Sequence, residues 1–341
     1  MTHRFPVKEI ALQSGLSTAT VDRVLNNRAH VSPQTRLRVQ DAIEELGRQE
    51  GQLAARGRRV FIDVLVEAPN RFNREIQRAC ETILGEFKPL AIRLRFKLFE
   101  TMTPEDCALE LERIARRGSQ GVCLKARDTE LTRSAISKLA DKGIPVVTIF
   151  TDNPGSKRLA YAGLNNKRAG ETAAYLMHQW LPLQARTVLT TLSQHSFQGE
   201  EDRYSGFRSS LLALRPGLSL IDASGGGGHN PATGREVASK IRPGQKIDGV
   251  YSMGGGNRAI LNALNDAGIS PAVFIAHDLD EDNLDLLKQG RLSVVLYHDL
   301  KSDMRAAFRL CLAHHRIVEA PSQLESDIKI VTPMNLPADC A

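Results

Sequence analysis

Val7 to Leu46 reads VKEIALQSGLSTATVDRVLNNRAHVSPQTRLRVQDAIEEL, and its spacing of apolar and turn residues predicts three short amphipathic helices. The first spans about 7–14 and carries Ile10 and Ala11 inward; Gly15 permits the sharp turn that follows, and Leu16 packs beneath it. Ser17 is placed to cap a second helix, in which Val21, Val24 and Leu25 at i, i+3 and i+4 form a buried stripe. The opposite face of that helix holds Thr18, Ala19, Asp22 and Arg23, with Asn26 and Asn27 at its exit. Ser32-Pro33 marks the start of a third helix, a hydroxyl cap followed by proline at the first helical position, and Val39, Ile43 and Leu46 close a small core. This is the form of a helix-turn-helix module, which lays its second helix in the DNA major groove. Ser17, Thr18, Ala19, Thr20, Asp22, Arg23 and Asn26 are the candidate DNA contacts, with Arg36 and Arg38 outside to meet phosphate. From the periodicity alone, a small helical domain that binds protein is the competing reading.

The run VKEIALQSGLSTATVDRVLNN followed by VSPQTRLRVQDAIEELG resembles the DNA-binding headpiece of the lactose-repressor (LacI) family. That family's pattern of Ala, Gly-Val/Leu-Ser, Thr-Val-Ser-Arg-Val-Leu-Asn and Val-Ser-x-x-Thr is matched almost throughout. Asp22 stands where the family usually has Ser, and an acid facing phosphates weakens binding unless it accepts from a cytosine amino group or pairs with Arg23. The resemblance also implies a hinge, commonly Tyr-x-Pro-Asn-x-x-Ala-x-x-Leu, whose Leu wedges into the minor groove. Here the run is Arg48-Gln49-Glu50-Gly51-Gln52-Leu53-Ala54-Ala55-Arg56-Gly57. Ala54 fits, Gly51 replaces Asn, and Gly57 stands where the wedging Leu belongs. Either Leu53 serves after a register shift or the hinge grips less. The expected organisation is a DNA-binding domain over 1–49, a hinge or linker over 50–59, and a larger domain over 60–341.

A chain of 341 residues, 42% apolar and 25% charged, is long enough for a small module plus a body with a sizeable core. Residues 1–59 hold ten Lys/Arg against six Asp/Glu, so +4 of the formal +6 lies there. That asymmetry suits a phosphate-facing head, although the run Arg56 to Arg59 reads equally as a solvated linker. No apolar stretch of signal-peptide or membrane-spanning length is present, which predicts a cytoplasmic protein without membrane contact. Cys80, Cys107, Cys123, Cys311 and Cys340 are scattered without ligand spacing, which points to reduced thiols and no metal.

From Val60 onward short apolar runs alternate with helical stretches. Strands are predicted near 60–66, 92–99, 121–124 and 145–150, with helices near 73–87, 104–117 and 130–142. A second series places strands near 186–192, 218–223, 249–252 and 272–277 among helices near 166–181, 202–214, 232–241, 257–267 and 280–289, and the chain returns near 292–298. Repeated β-α units imply parallel sheets covered on both faces, here two α/β lobes around a cleft. Such sheets bind small molecules at the carboxyl ends of their strands.

This region resembles the effector domain of the same family, which is similar to periplasmic sugar-binding proteins. Asn70-Arg71-Phe72-Asn73 sits where the family tends to have Asn-Pro-Phe-Phe, Gly143 to Thr148 matches its Gly-Ile-Pro-Val-Val-Thr, and Ala276-His277-Asp278 takes the place of Gly-Phe-Asp. Phe150-Thr151-Asp152 replaces the usual Asp-Arg, Glu201 stands for a sugar-clamping Arg ahead of Arg203-Tyr204-Ser205-Gly206-Phe207, and Gly254-Gly255-Gly256-Asn257 replaces Asn-Asp. The implied effector site comprises Asn70, Phe72, Asn73, Phe150, Asp152, Glu201, Arg203, Gly255, Asn257, Asp278 and His298. A hydroxyl-rich ligand wants an aromatic face and bidentate hydrogen bonds, which these residues supply. Plainer roles compete: Asp152 and Asp278 suit helix caps, Phe72 a plug between lobes, His298 an ordinary surface or buried histidine, and Glu201 a helix start.

Glycine runs at Gly225 to Gly228 and Gly254 to Gly256 raise the question of phosphate binding, but neither is followed by Lys-Ser/Thr nor has G-x-G-x-x-G order. A flexible loop at the cleft mouth and a close backbone approach to the effector are the favoured readings. No catalytic constellation is legible and no cofactor is expected. The chain reads as a transcriptional regulator, a repressor, acting on double-stranded operator DNA as a homodimer or tetramer and responding to a sugar, cyclitol or sugar derivative. A solute-binding protein without a DNA role and a sugar- or nucleotide-modifying enzyme are the alternatives.

Overall fold

Three helices build the head: α1 (Val7–Ser14), α2 (Thr18–Leu25) and α3 (Pro33–Ala55). Gly15 closes α1 in the left-handed conformation (φ 63°) and returns its N–H to Ala11 and Leu12. The Ser17 hydroxyl accepts from the Thr20 N–H at 3.1 Å, and the Ser32 hydroxyl accepts from the Thr35 N–H at 3.1 Å, so both later helices start on the caps their sequence announces. Ile10, Ala11, Val21, Val39 and Ala42 form the head core with Phe5, walled by Leu16, Val24, Leu25, Ile43 and Leu46. The computed structural model describes residues 5–28, 31–55, 59–242 and 244–337. Within it α3 runs on to Ala55, into the stretch expected as a linker, because Gln, Glu, Leu and Ala outweigh Gly47 and Gly51 as helix formers. Leu53 and Ala54 thus lie on helical backbone; 56–58, holding most of the basic run, are outside the described residues.

The body has two six-stranded sheets. In the first lobe β1 (Arg59–Glu67), α4 (Asn70–Ile83, extended by a 3-10 turn to Phe87), β2 (Ala91–Phe99), α5 (Pro104–Arg117), β3 (Gly121–Lys125), α6 (Glu130–Asp141), β4 (Val146–Ile149) and β5 (Ala160–Leu164) follow in chain order. The second lobe takes α7 (Asn166–Trp180), β6 (Thr187–Thr191), α8 (Gln198–Leu214), β7 (Ser219–Asp222), α9 (Asn230–Lys240), β8 (Gly249–Ser252), α10 (Asn257–Asp266), β9 (Val273–His277), α11 (Glu281–Lys288) and β10 (Val294–Tyr297). The chain then returns: α12 (Leu300–His314) packs in the first lobe's core, β11 (Glu325–Ser326) pairs with β5, and β12 (Lys329–Val331) pairs with β10. The orders are β11-β5-β4-β3-β1-β2 and β12-β10-β9-β8-β6-β7, parallel throughout except β10 with β12. β2 is an edge strand, paired only with β1.

Burial on both faces explains the continuous apolar strands. Val60, Ile62, Val64 and Val66 of β1 share one core with α4 and α12, whereas Leu65 joins the other face beneath α5 and α6. In the second lobe α7 and α8 touch backbone to backbone. A Cβ on Gly170 would stand 2.0 Å from the Arg203 carbonyl oxygen, and one on Gly206 would stand 2.2 Å from that of Lys167. This contact sets where α8 presents Arg203. Gly170→Ala is expected to cost about 1–3 kcal/mol in urea unfolding, whereas Gly217→Ala, with nothing within 4 Å of its Cβ position, is expected to leave stability nearly unchanged.

Candidate functional site

Strand order reverses between β1 and β3 in one sheet and between β6 and β8 in the other, and the carboxyl ends at such reversals are where open α/β sheets leave a crevice. Here both crevices face each other. The cavity is lined by Glu67, Ala68 and Arg71 after β1, Lys125 at the end of β3, Ser193 and Glu200 after β6, and Met253 to Gly255 after β8. Phe72, Phe150, Arg203, Asp278 and His298 complete the same lining. Phe72 meets Phe150 edge-on at 5.5 Å between ring centres, and Phe150 lies 5.5 Å from the His298 ring. Phe150 and Asp278, each just beyond a strand, both hold a left-handed φ of 63°. Non-glycine residues kept there mark places where the backbone is held in position by its surroundings.

His298 is buried between two carboxylates. Its Nδ1 meets Asp303, and its Nε2 stands 3.4 Å from Asp278 Oδ1. Burial opposes the imidazolium, but Asp303 and Asp278 outweigh it and raise the His298 pKa to about 9. Burial also opposes ionisation of Asp278, yet His298 and Arg203 hold its carboxyl well below the usual range. His277 differs: burial and then Arg203 push it well below its ordinary value, and its Nε2 pairs with the Tyr251 hydroxyl at 2.7 Å. One histidine of the site is cationic at neutral pH and the other is not.

The glycine runs serve closure between the lobes. Arg71 reaches across to donate from Nε to Asp280 at 2.5 Å and from Nη2 to the Gly228 carbonyl at 2.9 Å. Its guanidinium stands 2.4 Å from where a Gly255 Cβ would be, so any side chain there would evict it. A Cβ on Gly228 would meet the Gly254 carbonyl at 2.3 Å. Arg74, one turn along α4, adds an ion pair to Glu281 at 3.3 Å. With Arg71 in place the enclosed space is about 70 Å³, well below the roughly 300 Å³ at which small-molecule sites begin.

Of the residues expected here, Phe72, Phe150, Arg203, Gly255, Asp278 and His298 come together, and the others do not line the cavity. Asn70 is exposed at the start of α4. Asn73 is buried, donating to the carbonyls of Ala68 and Phe99 at 2.7 and 3.2 Å. Asp152 accepts from Arg158 and from the Thr148 hydroxyl, fixing its own turn. Glu201 meets His195 at 2.6 Å, while the preceding Glu200 faces the cavity. Asn257 donates to Asn283 at 2.6 Å. Lys125, Arg71, Glu67, Glu200, His277 and Asp280 line the cavity unforeseen; Glu67 and Lys125 end the two strands beside a reversal, a signal readable only once strand order is known, whereas Arg71, Glu200 and Asp280 belong to helices or their caps. Among the described residues no group of three His, Cys, Asp or Glu side chains is placed to hold a metal, and no helix is long and apolar enough to cross a membrane.

On the head, α2 keeps Ser17, Thr18, Ala19, Arg23 and Asn26 exposed, with Thr20 and Asp22 partly so. Asp22 does not pair with Arg23. It accepts from Asn26 at 2.8 Å and stands 3.4 Å from Arg28, which leaves Arg23 available. Arg36 is exposed and donates to Asn27 at 3.4 Å, whereas Arg38 is committed to the Ser14 carbonyl at 2.7 Å, closing α1.

A helix-turn-helix head is joined here to a two-lobed body of facing parallel sheets, the fold of solute-binding proteins. The chain belongs to the periplasmic binding protein domain family, matched over residues 103–316, and at residues 7–48 it carries the DNA-binding domain of the bacterial regulatory proteins of the lacI family. It is 24% identical over 213 residues to the HTH-type transcriptional regulator DegA of Bacillus subtilis (strain 168), a match that covers 60% of this chain and 60% of that regulator's length. Among solved structures it is similar to a solute-binding protein from Burkholderia graminis in complex with D-arabinose, with TM-score 0.73 and 20% identity over 83% of this chain and 98% of the other. It is also similar to GanP, a glucose-galactose binding protein from Geobacillus stearothermophilus, with TM-score 0.72 and 17% identity over 81% and 98%.

Two outcomes follow from this geometry. Arg71→Ala removes the strap, so small-angle scattering of the ligand-free protein is expected to give a larger radius of gyration than wild type. Because the His298 pKa is raised in the folded state, its stabilisation is full below the unfolded value and is lost as pH rises through about 9. Urea unfolding should thus show stability falling by about 2–3 kcal/mol between pH 6 and 10, with a flatter profile in His298→Gln.

Proposed function

We propose that the protein is a sequence-specific transcriptional regulator, acting as a repressor in the cytoplasm, whose operator affinity is set by a sugar-like or polyol effector in the interlobe cavity. The observation that carries this reading is the pairing of two parts in one chain. α2 offers a row of small polar groups with an exposed Arg23, and a cavity with opposed aromatic and charged walls lies between lobes that Arg71, Arg74 and Arg78 tie together. The lacI-family match over the head and the DegA likeness support the DNA role. The relatives named for D-arabinose and for glucose-galactose support the effector class.

The heads act in pairs. A two-fold dimer would present two copies of α2 to half-sites about one helical turn apart on a near-palindromic operator. Effector and operator each change the other's affinity by the same factor, as linkage demands. Arg23→Glu replaces a phosphate- or base-directed cation with an anion, and is expected to weaken operator binding by about a hundredfold or more. Fluorescence anisotropy on a duplex selected from random sequence reads this, with circular dichroism confirming the head is folded. Retained affinity in that variant would overturn the assignment of α2 as the reading helix.

A further inference from the structure

The outward face of α2 carries an acid at its middle. Thr18, Ala19, Asp22, Arg23 and Asn26 recur at the helical spacing that gathers them on one stripe, opposite the side on which Val21, Val24 and Leu25 pack into the head core. The Asp22 side chain is half exposed there, at 44%, and Ala19, one turn earlier, presents only a methyl group beside it. If α2 enters a major groove on this stripe, the Asp22 carboxylate comes to the base edges between two rows of phosphates.

The protein does little to neutralise that charge. Arg28 stands 3.4 Å from Oδ2 with its own side chain 63% exposed, and exposed pairs of this kind contribute about 1 kcal/mol at most. Asn26 donates from its amide nitrogen to Oδ1 at 2.8 Å and to the Asp22 carbonyl at 2.9 Å. It is a neutral partner, which fixes the carboxylate and leaves its charge in place. With its nitrogen so engaged, Asn26 has its oxygen left to offer a base, and the two-point pairing of an amide with adenine is closed to it. What α2 turns toward DNA at positions 22 and 26 is therefore a pair of acceptors.

Base edges differ in what they give an acceptor. In the major groove guanine shows acceptors only, thymine an acceptor and a methyl group, and adenine a donor beside its N7 acceptor, whereas cytosine shows its amino group alone. Cytosine is thus the base at which a fixed carboxylate gains a charge-assisted hydrogen bond without meeting a lone pair on the same base. We propose that Asp22 is a specificity-determining residue for a C·G pair in each half-site, Oδ2 accepting from the cytosine amino group while Asn26 holds Oδ1. The long contact from Arg28 is the one that yields to the base. This rests on the reading of the chain as a DNA-binding regulator and adds what its operator must contain. Against any other pair at that position the acid loses hydration and meets like charge, so Asp22 selects largely by rejection.

Selection from random duplexes by the full chain, followed by anisotropy titration of the selected site, tests this. One cytosine per half-site is expected whose replacement by any other base weakens wild-type binding about tenfold or more. Replacing it by pyrimidinone, which keeps the ring and lacks the amino group, is expected to weaken binding comparably. In Asp22→Ala, duplexes with each base at that position are expected to bind within about threefold of one another, those lacking the cytosine at least as tightly as to wild type. A residue that only propped Asn26 or Arg28 would weaken all sequences alike. Circular dichroism checks that the head is folded, and Asp22→Asn, of the same size without the charge, is expected to lose the rejection of other bases if the alanine variant fails to fold. Cytosine preference that survives in the folded variant, a selected half-site without such a cytosine, or full affinity for the pyrimidinone duplex would each overturn the inference and leave the regulator reading standing. A wild-type chain that retains no duplex at low ionic strength overturns that reading itself, and this inference with it.

Discussion

Parallel strands cannot be joined by tight turns, so each must return through a helix on one face of the sheet. That constraint organises the whole body. Because every crossover brings the chain back to the same end, all the loops that leave carboxyl ends gather on one side of each sheet. Reversing the strand order parts two of those loops and opens a crevice. With two such sheets facing each other, residues as distant in sequence as Lys125, Ser193, Gly255 and Asp278 line one small space. Of the three passages of chain between the lobes, after β5, after β10 and after β11, the second carries His298 into this lining. A change in how the lobes meet is thereby a change in the cavity.

The chemistry of that space follows from scarcity of water. Glu200 and Asp280 are supplied with N–H or O–H groups by the protein, and the placing of His298 between Asp303 and Asp278 shows how far neighbours can override burial. Glycine does a different task from the one its repetition first suggests. Gly228 and Gly255 lack side chains where the Gly254 carbonyl and Arg71 of the opposite lobe come close, and Gly254 lacks one where Ser193 and Glu200 do. A backbone stripped of Cβ atoms is the seat of an interlobe contact.

The head was legible almost residue by residue, since three caps and one apolar stripe are local properties and Ser17, Ser32 and Gly15 act within one turn of themselves. In the body, most strands and helices carry their own periodicity, and the helix over 104–117 matches its expected bounds. α12 and β5 were not assigned: α12 is buried on so many sides that its pattern is less that of an amphipathic surface helix, and β5 reads AYAGL, poor in β-branched residues. The cavity was half legible. Phe150, Asp278 and His298 sit just past recognisable strand ends, but choosing between Glu200 and Glu201 needs the true start of α8 at Gln198, and one residue on a helix is a rotation of about 100°. Arg71 and Lys125 were invisible because their partners lie far along the chain, Asp280 and Gly228 for the first and Glu67 and Phe197 for the second.

β2 closes one rim of the first sheet with a single neighbour, and such a rim exposes unpaired N–H and C=O groups to any extended chain that drifts by. Arg93, Arg95 and Lys97 fall at alternate positions along it, Arg95 being tied down to Asp63 at 2.6 Å. Two molecules approaching rim to rim would confront rows of like charge before their backbones could zip together. Copies of this chain held close together can therefore reach high local density without their sheets fusing into fibrils.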